Sequence, residues 1–357
     1  MEARGIRDNP ARSLGELTEF ANRDHLENPE TYRAAIDGVL DVLYKEEGLI
    51  RLYPSPTIIV PDIHARRGML IDILSCQLPE GPYAGNRIFE LLQKRLINMV
   101  CIGDIVHSEV RSDWVINDNG DWTVELLEKE MTRSLGAATI IMYLKMQYPE
   151  HFHCLRGNHD DIAGELTEDF RKFVGVRYEN NERMMVNGRP MLTSGKGESK
   201  IVREWILMRS GWGPTFLQLW SQFDRALPIF AAGGYYAISH TLPQMSLTVS
   251  NMRNKNRPPR ITFELTSQRG ENREAMYRTL ENLGIIHTVR RWFHGHTHVS
   301  PETNGGKYQE SPDGFLVRIN NQSNYVFAYV PGPRDKWPFH PPKDVYIKAP
   351  TEATFHR

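Results

Sequence analysis

A recurrence constrains this chain more than any other feature. Short apolar runs keep ending in loops that carry Asp, His or Asn. Thr57-Ile58-Ile59-Val60 ends at Pro61-Asp62-Ile63-His64, and Met99-Val100-Cys101-Ile102 ends at Gly103-Asp104. The run from His151 to Cys154 ends at Leu155-Arg156-Gly157-Asn158-His159-Asp160. Runs of this length bounded by turn residues read as buried strands, and the stretches between them carry helical periodicity. Strands alternating with helices specify an α/β layered fold, where ligands gather at the carboxyl ends of the strands. Two later strands repeat the pattern. Tyr235–Ser239 ends at His240, and Thr288–Phe293 ends in His294-Gly295-His296-Thr297-His298.

Around these strands, residues 1–16 read as a loose arm, and Leu17–Leu49 as largely helical. Residues 1–56 together are expected to form an N-terminal helical arm before a catalytic domain at 57–330. Helices are expected at about Arg67–Leu78, Asn86–Ile97, Trp122–Gln147 and Arg273–Leu283. Residues 162–215 are charged, carry a hairpin signal at Asn187-Gly188, and read as a cap-like insertion. Gly233-Gly234 joins two strands as a hairpin, and Phe315–Ile319 with Tyr325–Val330 reads as a closing one. From Pro331 to Arg357 proline is frequent, which predicts an extended tail.

Composition narrows the function. The net charge of −1 gives no whole-protein basic field, so nucleic acid is not an expected partner. The strip Arg253, Lys255, Arg257 and Arg260 reads as a solvated loop. Three cysteines without a C-x-x-C point to a reducing, cytoplasmic setting and to buried thiols instead of a disulfide framework. No window approaches the ~18 apolar residues of a membrane helix.

The strand ends supply Asp62, His64, Asp104, Asn158, His159, His240, His296 and His298. Nitrogen and oxygen donors without thiolates suit Zn, Mn or Fe. The set is too large for one four-coordinate ion. It suits two ions about 3.5–4 Å apart that share a carboxylate, activate a water and neutralise a transferring phosphoryl group.

At this point the chain resembles the calcineurin-like metallophosphoesterase superfamily. Asp-x-His (62–64), Gly-Asp (103–104), Gly-Asn-His-Asp (157–160), His240 and Gly-His-Thr-His (295–298) are similar to its motif series, in the same order. Tyr148–Phe152 leading into Leu155–His159, and Phe223-Asp224-Arg225-Ala226-Leu227-Pro228, look most like the serine/threonine phosphoprotein phosphatases. The resemblance implies a β-sandwich of two mixed sheets flanked by helices. It implies two divalent or mixed-valence ions. One would sit on Asp62, His64, Asp104 and His298, the other on Asp104, Asn158, His240 and His296. It further implies His159 as general acid with Asp160 beside it, Arg156 as phosphate clamp, and a metal-bridging hydroxide as nucleophile.

The second motif departs from the phosphatase pattern Gly-Asp-x-Val-Asp-Arg-Gly. It reads Gly103-Asp104-Ile105-Val106-His107-Ser108-Glu109. Pro61 and Ala65 stand where glycines are expected, and Thr241-Leu242 follows His240. Arg111, Arg66 or Arg67 is therefore expected to replace the second phosphate-binding guanidinium. Asp160, Asp161 or Glu109 is expected to orient His159. The resulting reading is a phosphomonoesterase acting on phosphoprotein. Two alternatives stand beside it: a nucleotide or dinucleoside polyphosphate hydrolase or phosphodiesterase, and a non-catalytic metal-binding scaffold.

Overall fold

The computed structural model describes residues 13–22, 29–78, 81–108, 124–162, 206–207, 212–320, 326–332 and 345–348, with six two-residue strand segments between 175 and 193. The N-terminal half runs α1 (Leu14–Ala21), α2 (Pro29–Leu43), β1 (Leu49–Arg51), β2 (Thr57–Val60), α3 (Arg67–Ser75), α4 (Ile88–Gln93), β3 (Asn98–Cys101), α5 (Val124–Gln147) and β4 (Phe152–Cys154). The short segments β5–β10 are Gly175–Val176, Tyr178–Glu179, Glu182–Arg183, Met185–Val186, Arg189–Pro190 and Leu192–Thr193. The C-terminal half runs α6 (Gly213–Ala226), β11 (Phe230–Ala232), β12 (Tyr236–Ser239), α7 (Val249–Arg253), α8 (Pro259–Thr266), α9 (Arg273–Asn282), β13 (Arg291–His294), β14 (Gln309–Glu310), β15 (Leu316–Arg318), β16 (Val326–Val330) and β17 (Val345–Lys348).

Two mixed sheets form. One is ordered β17-β16-β2-β3-β4, the other β1-β11-β12-β13-β15-β14. In the first, β2, β3 and β4 run parallel, so their carboxyl ends emerge side by side. In the second, β12, β13 and β15 run parallel in the same manner. The strands are short and apolar because both faces of each sheet are covered. Successive residues point to opposite faces. Ile58, Val60, Met99 and Cys101 pack on a helical layer with Ile36, Leu70, Leu135 and Trp220. Ile59, Val100, Ile102 and Leu155 point the other way, onto Ala231, Ile238, Phe293 and Val317 of the facing sheet. Phe230, Ala237, Trp292 and Leu316 then pack on a second helical layer through Met252, Leu265, Met276 and Leu280. The result is helix, sheet, sheet, helix.

Several boundaries differ from the sequence expectation. The Leu17–Leu49 stretch holds two helices, the second opening at Pro29, where a first-turn proline is favoured. This segment is no arm. Leu17, Tyr32, Ile36 and Val39 are buried in the core, and β1 adds to β11 in parallel. Phe315–Ile319 and Tyr325–Val330 do not pair with each other. β15 belongs to one sheet and β16 to the other, so the chain crosses the sandwich between them. The proline-rich tail supplies β17, antiparallel to β16. The basic strip runs from the last residue of α7 through the connecting loop into α8. Arg253 pairs with Glu47 at 3.0 Å, Lys255 donates to the Leu43 carbonyl, and Arg257 is buried with its Nη2 on the Leu227 carbonyl. In the insertion, β8 and β9 pair antiparallel around positions 187–188, which lie outside the described residues, as do residues 1–12, Glu109 and Arg111. The three cysteines are buried and free. Among the described residues, no helix is long and apolar enough to cross a membrane.

Candidate dimetal site

The loops after β2 and β3 extend the parallel ladder beyond the strands. The N–H groups of Ile63, His64 and Ala65 donate to the carbonyls of Gly103, Asp104 and Ile105 at 3.1, 2.6 and 2.9 Å. This zipper sets Asp62 and Asp104 side by side. From the facing sheet, the Gly295 N–H donates to the His240 carbonyl at 3.0 Å, which lays the His294–His298 loop against the end of β12. The His296 N–H then reaches back to Asp62 Oδ2 at 2.7 Å and joins the two sheets at the site.

Two groups of side chains converge. Asp62, His64 and Asp104 form one, and Asp104, His240 and His296 the other; within each group the ligand atoms lie within 4.8 Å of one another. Asp104 belongs to both. Its Oδ2 stands 3.3 Å from His240 Nε2 and 3.7 Å from His64 Nε2. The Asn158 Oδ1 completes the second group, 3.0 Å from His240 Nε2 and 2.8 Å from His296 Nδ1. His298 is exposed and lies outside both groups.

The backbone is bent to achieve this. His64, Ala65, Asp104, His107 and His296 all have positive φ, between 46° and 71°. That region costs an L-residue roughly 1–2 kcal/mol, and such residues cluster at functional sites. Two glycines are required by close approach. A Cβ on Gly157 would lie 2.1 Å from Asp104 Oδ1, and one on Gly295 would lie 2.0 Å from Asp62 Oδ1.

The side chains behind the site fix its rings. His64 Nδ1 donates to the His107 carbonyl at 3.0 Å, which leaves the Nε2 lone pair facing Asp104. The His107–Ser108 turn hangs on α5. Glu130 Oε1 accepts from the Ser108 N–H at 2.7 Å and from Ser134 Oγ at 3.2 Å, and Ser134 Oγ accepts from the His107 N–H at 3.1 Å. Sequence reasoning missed Glu130 and Ser134. Their spacing on a helix signals only a shared face. His159 is half-buried, stacked on the His107 ring at 4.9 Å, and its N–H donates to Asp104 Oδ1 at 2.8 Å.

Electrostatics call for a cation here. Burial opposes ionisation of Asp104, yet His240, His159 and His64 hold its carboxyl well below the usual range. Burial likewise opposes a charged His240 ring, and the Asp104 and Asp62 carboxylates push it well above the usual histidine range. His296 goes the other way, to about 3, through burial and the neighbouring His240. Asp62 Oδ1, His240 Nδ1 and His296 Nε2 are buried without a hydrogen-bond partner. Two buried carboxylates, imidazole nitrogens and polar atoms left without partners form a donor set that fits hard or borderline divalent ions.

Four residues given roles by the sequence reading make contacts of another kind. Arg156 is buried, with its Nη2 on the carboxylate of Asp224 on α6. Asp160 does not address the His159 ring. Its two oxygens accept from the N–H groups of Ile105 at 2.6 Å and Gly157 at 2.7 Å, and it serves as the clasp between two loops. Burial, then Asp104, raises its carboxyl to about 6. Arg66 braces the first loop from behind, through Nε to the Ile63 carbonyl at 3.0 Å and Nη2 to the Asp62 carbonyl. Arg67 points to the Ala21 carbonyl of α1 at 3.3 Å. Asp161 is buried.

Comparison with known proteins bears on the fold and the family. The fold is similar to a Saccharomyces cerevisiae serine/threonine phosphatase described as similar to human phosphatase PP5. The TM-score is 0.57 at 15% identity over 97% of this chain and 98% of that one. Weaker similarity links it to a cold-active protein-tyrosine phosphatase of a psychrophilic Shewanella (TM-score 0.41, 12% identity, 80% and 78% covered). A putative diadenosine tetraphosphatase also matches weakly (TM-score 0.36, 12% identity, 85% and 99% covered). No curated protein matches the sequence. The family model for calcineurin-like phosphoesterases matches residues 55–300, which contain every loop of the site, and the chain belongs to that family.

Proposed function

We propose that this chain is a dimetal-dependent phosphomonoesterase of the serine/threonine protein phosphatase type. The observation that carries the proposal is the sharing of Asp104 between two ligand groups. Asp62, His64, Asp104 and His298 would hold one ion, and Asp104, Asn158, His240 and His296 the other. When bound, such a pair neutralises phosphoryl charge and lowers the pKa of a water. Mn, Fe or Zn suits the donors.

The remaining work falls to the chain. The ring of His159, stacked on His107 and carried by a backbone whose N–H donates to Asp104 Oδ1, carries the proton for the leaving oxygen. The substrate is a phosphorylated side chain on this reading. The Leu155–His159 sequence and the full-length fold similarity to a serine/threonine phosphatase support it. A second reading, hydrolysis of nucleotides or dinucleoside polyphosphates, is favoured by one observation. Arg156, the expected phosphate clamp, is spent on Asp224.

The test is a comparison of rates on an aryl monophosphate, an aryl phosphodiester, a phosphopeptide and a dinucleoside polyphosphate, with Mn²⁺ added and metal content measured. Preference for the phosphopeptide and aryl monophosphate is expected. Preference for the dinucleotide would replace the first reading with the second. Two bound ions and no turnover on any substrate would leave a binding scaffold.

A further inference from the structure

Asn320 follows β15 and is fully buried, yet neither its Oδ1 nor its Nδ2 has a hydrogen-bond partner. Buried amides are ordinarily satisfied, and one that is not demands an explanation. Its place in the fold supplies one. The backbones of Ile319 and Asn320 hold the His294–Val299 loop at both ends. The Ile319 N–H donates to the His294 carbonyl at 3.1 Å, and the Val299 N–H donates to the Asn320 carbonyl at 2.9 Å. Asn320 therefore pairs with the residue next to His298.

An imidazole that binds an ion through one nitrogen presents the other as N–H and needs an acceptor for it. His64 has the His107 carbonyl for this purpose. His298, exposed and outside both groups here, needs one when its ring turns inward. We infer that Asn320 is the positioning residue for His298. Its carboxamide oxygen accepts the ring N–H once His298 joins Asp62, His64 and Asp104. The inference rests on the dimetal reading above.

The experiment measures binding of Mn²⁺ or Zn²⁺ by chelator competition in wild type, Asn320→Leu, Asn320→Asp, His298→Ala and the His298→Ala/Asn320→Leu double variant, with melting of each metal-free protein. Asn320→Leu is expected to weaken one ion of the two by roughly 10- to 100-fold, the usual effect of losing such a partner. Asn320→Asp, which keeps an acceptor, is expected to bind both ions as wild type does. In the His298→Ala background Asn320→Leu is expected to add nothing. A merely structural role would lower the metal-free melting temperature and leave affinity unchanged in the folded fraction. Wild-type affinity in Asn320→Leu, or a full additional loss on top of His298→Ala, would overturn the inference. Should Asn320→Leu not fold, Asn320→Ala answers the same question. If wild type itself fails to bind two ions, the dimetal reading falls, and the two failures are distinguished.

Discussion

The guanidinium of Arg156 is turned onto the carboxylate of Asp224, and both side chains are buried. Arg257 lies close by; burial, then the charge of Arg156, brings its guanidinium down to about 9. Asp224 is thus the counter-charge for a cationic corner beneath the Leu155–Asp160 loop. Removing one partner of a buried pair strands the other charge, at a cost of about 3–5 kcal/mol. Asp224→Ala is expected to lower urea-unfolding stability by about that amount. Arg156→Met is expected to cost less, with KM for an aryl phosphate nearly unchanged in folded protein. A large KM rise at unaltered stability would return Arg156 to the substrate.

Gly157 sits where a methyl group has no room. A Cβ would meet the carboxylate oxygen of Asp104 at 2.1 Å and its backbone nitrogen at 2.3 Å, and the backbone atom cannot swing aside. Gly157→Ala is expected to push Asp104 off its shared position. The expected outcome is a folded protein that has lost bound metal, seen as a drop toward zero ions by elemental analysis. Retention of two ions would mean that the loop yields and that Asp104 is less constrained than its contacts imply.

Glu130 holds the altered second motif from outside the site. It accepts from the Ser108 N–H and from Ser134, and the turn that it anchors presents the carbonyl that fixes His64. Glu130→Ala is expected to cost about 1–3 kcal/mol for the amide left without a partner. It is also expected to weaken metal affinity by about 10-fold or more through the loosened His64. Glu130→Gln, which keeps an acceptor, is expected to recover most of both. Equal metal affinity in all three proteins would detach Glu130 from the site.

The same residues show what a sequence can and cannot disclose. Asp62, Asp104, Asn158 and His240 were legible because each follows a strand buried on both faces, and such a strand appears as an uninterrupted apolar run. The layered fold followed from the alternation of those runs with helices. What escaped was non-local. Arg156 and Asp224 lie 68 positions apart, so their pairing has no local signature. Glu130 looks like any polar residue on an amphipathic helix until the turn that it anchors is placed. β1 is three residues long, too short to show a period, and its pairing with β11 is set by tertiary contact. The crossing from β15 to β16 passes between sheets, and proximity in sequence suggested a hairpin instead.

His159 separates chemistry from binding. Its ring is outside both ligand groups, while its N–H is fixed to Asp104 Oδ1. His159→Ala is expected to keep both ions and lose about 10²–10⁴ in kcat, the usual range for a positioned proton donor. The loss is expected to shrink for a substrate whose leaving group needs no protonation, such as a nitrophenol. Full activity on a phosphopeptide would remove His159 from the reaction.

Asp72 on α3 gives a stability prediction independent of the site. It is buried, its Oδ1 has no hydrogen-bond partner, and burial raises its carboxyl from 3.8 to about 6. The folded state therefore holds this proton more tightly than the unfolded chain does. Well below pH 3.8 both states are protonated and the residue costs nothing. Stability falls as pH rises from about 4 to 6, because the folded protein must then ionise a buried acid, and above that window the penalty is constant. Asp72→Asn keeps the shape and removes the charge. It is expected to stabilise the protein by about 1 kcal/mol at pH 7, a value discounted for solvent screening. Near pH 4 the gain is expected to shrink to a small part of that. The neighbouring Cys76 thiol, raised to about 11 by burial and then by Asp72, is expected to become easier to ionise in the same variant. Urea unfolding of both proteins at pH 4 and pH 7 checks the sign. A gain that is equal at the two pH values would show that Asp72 is not held protonated by burial.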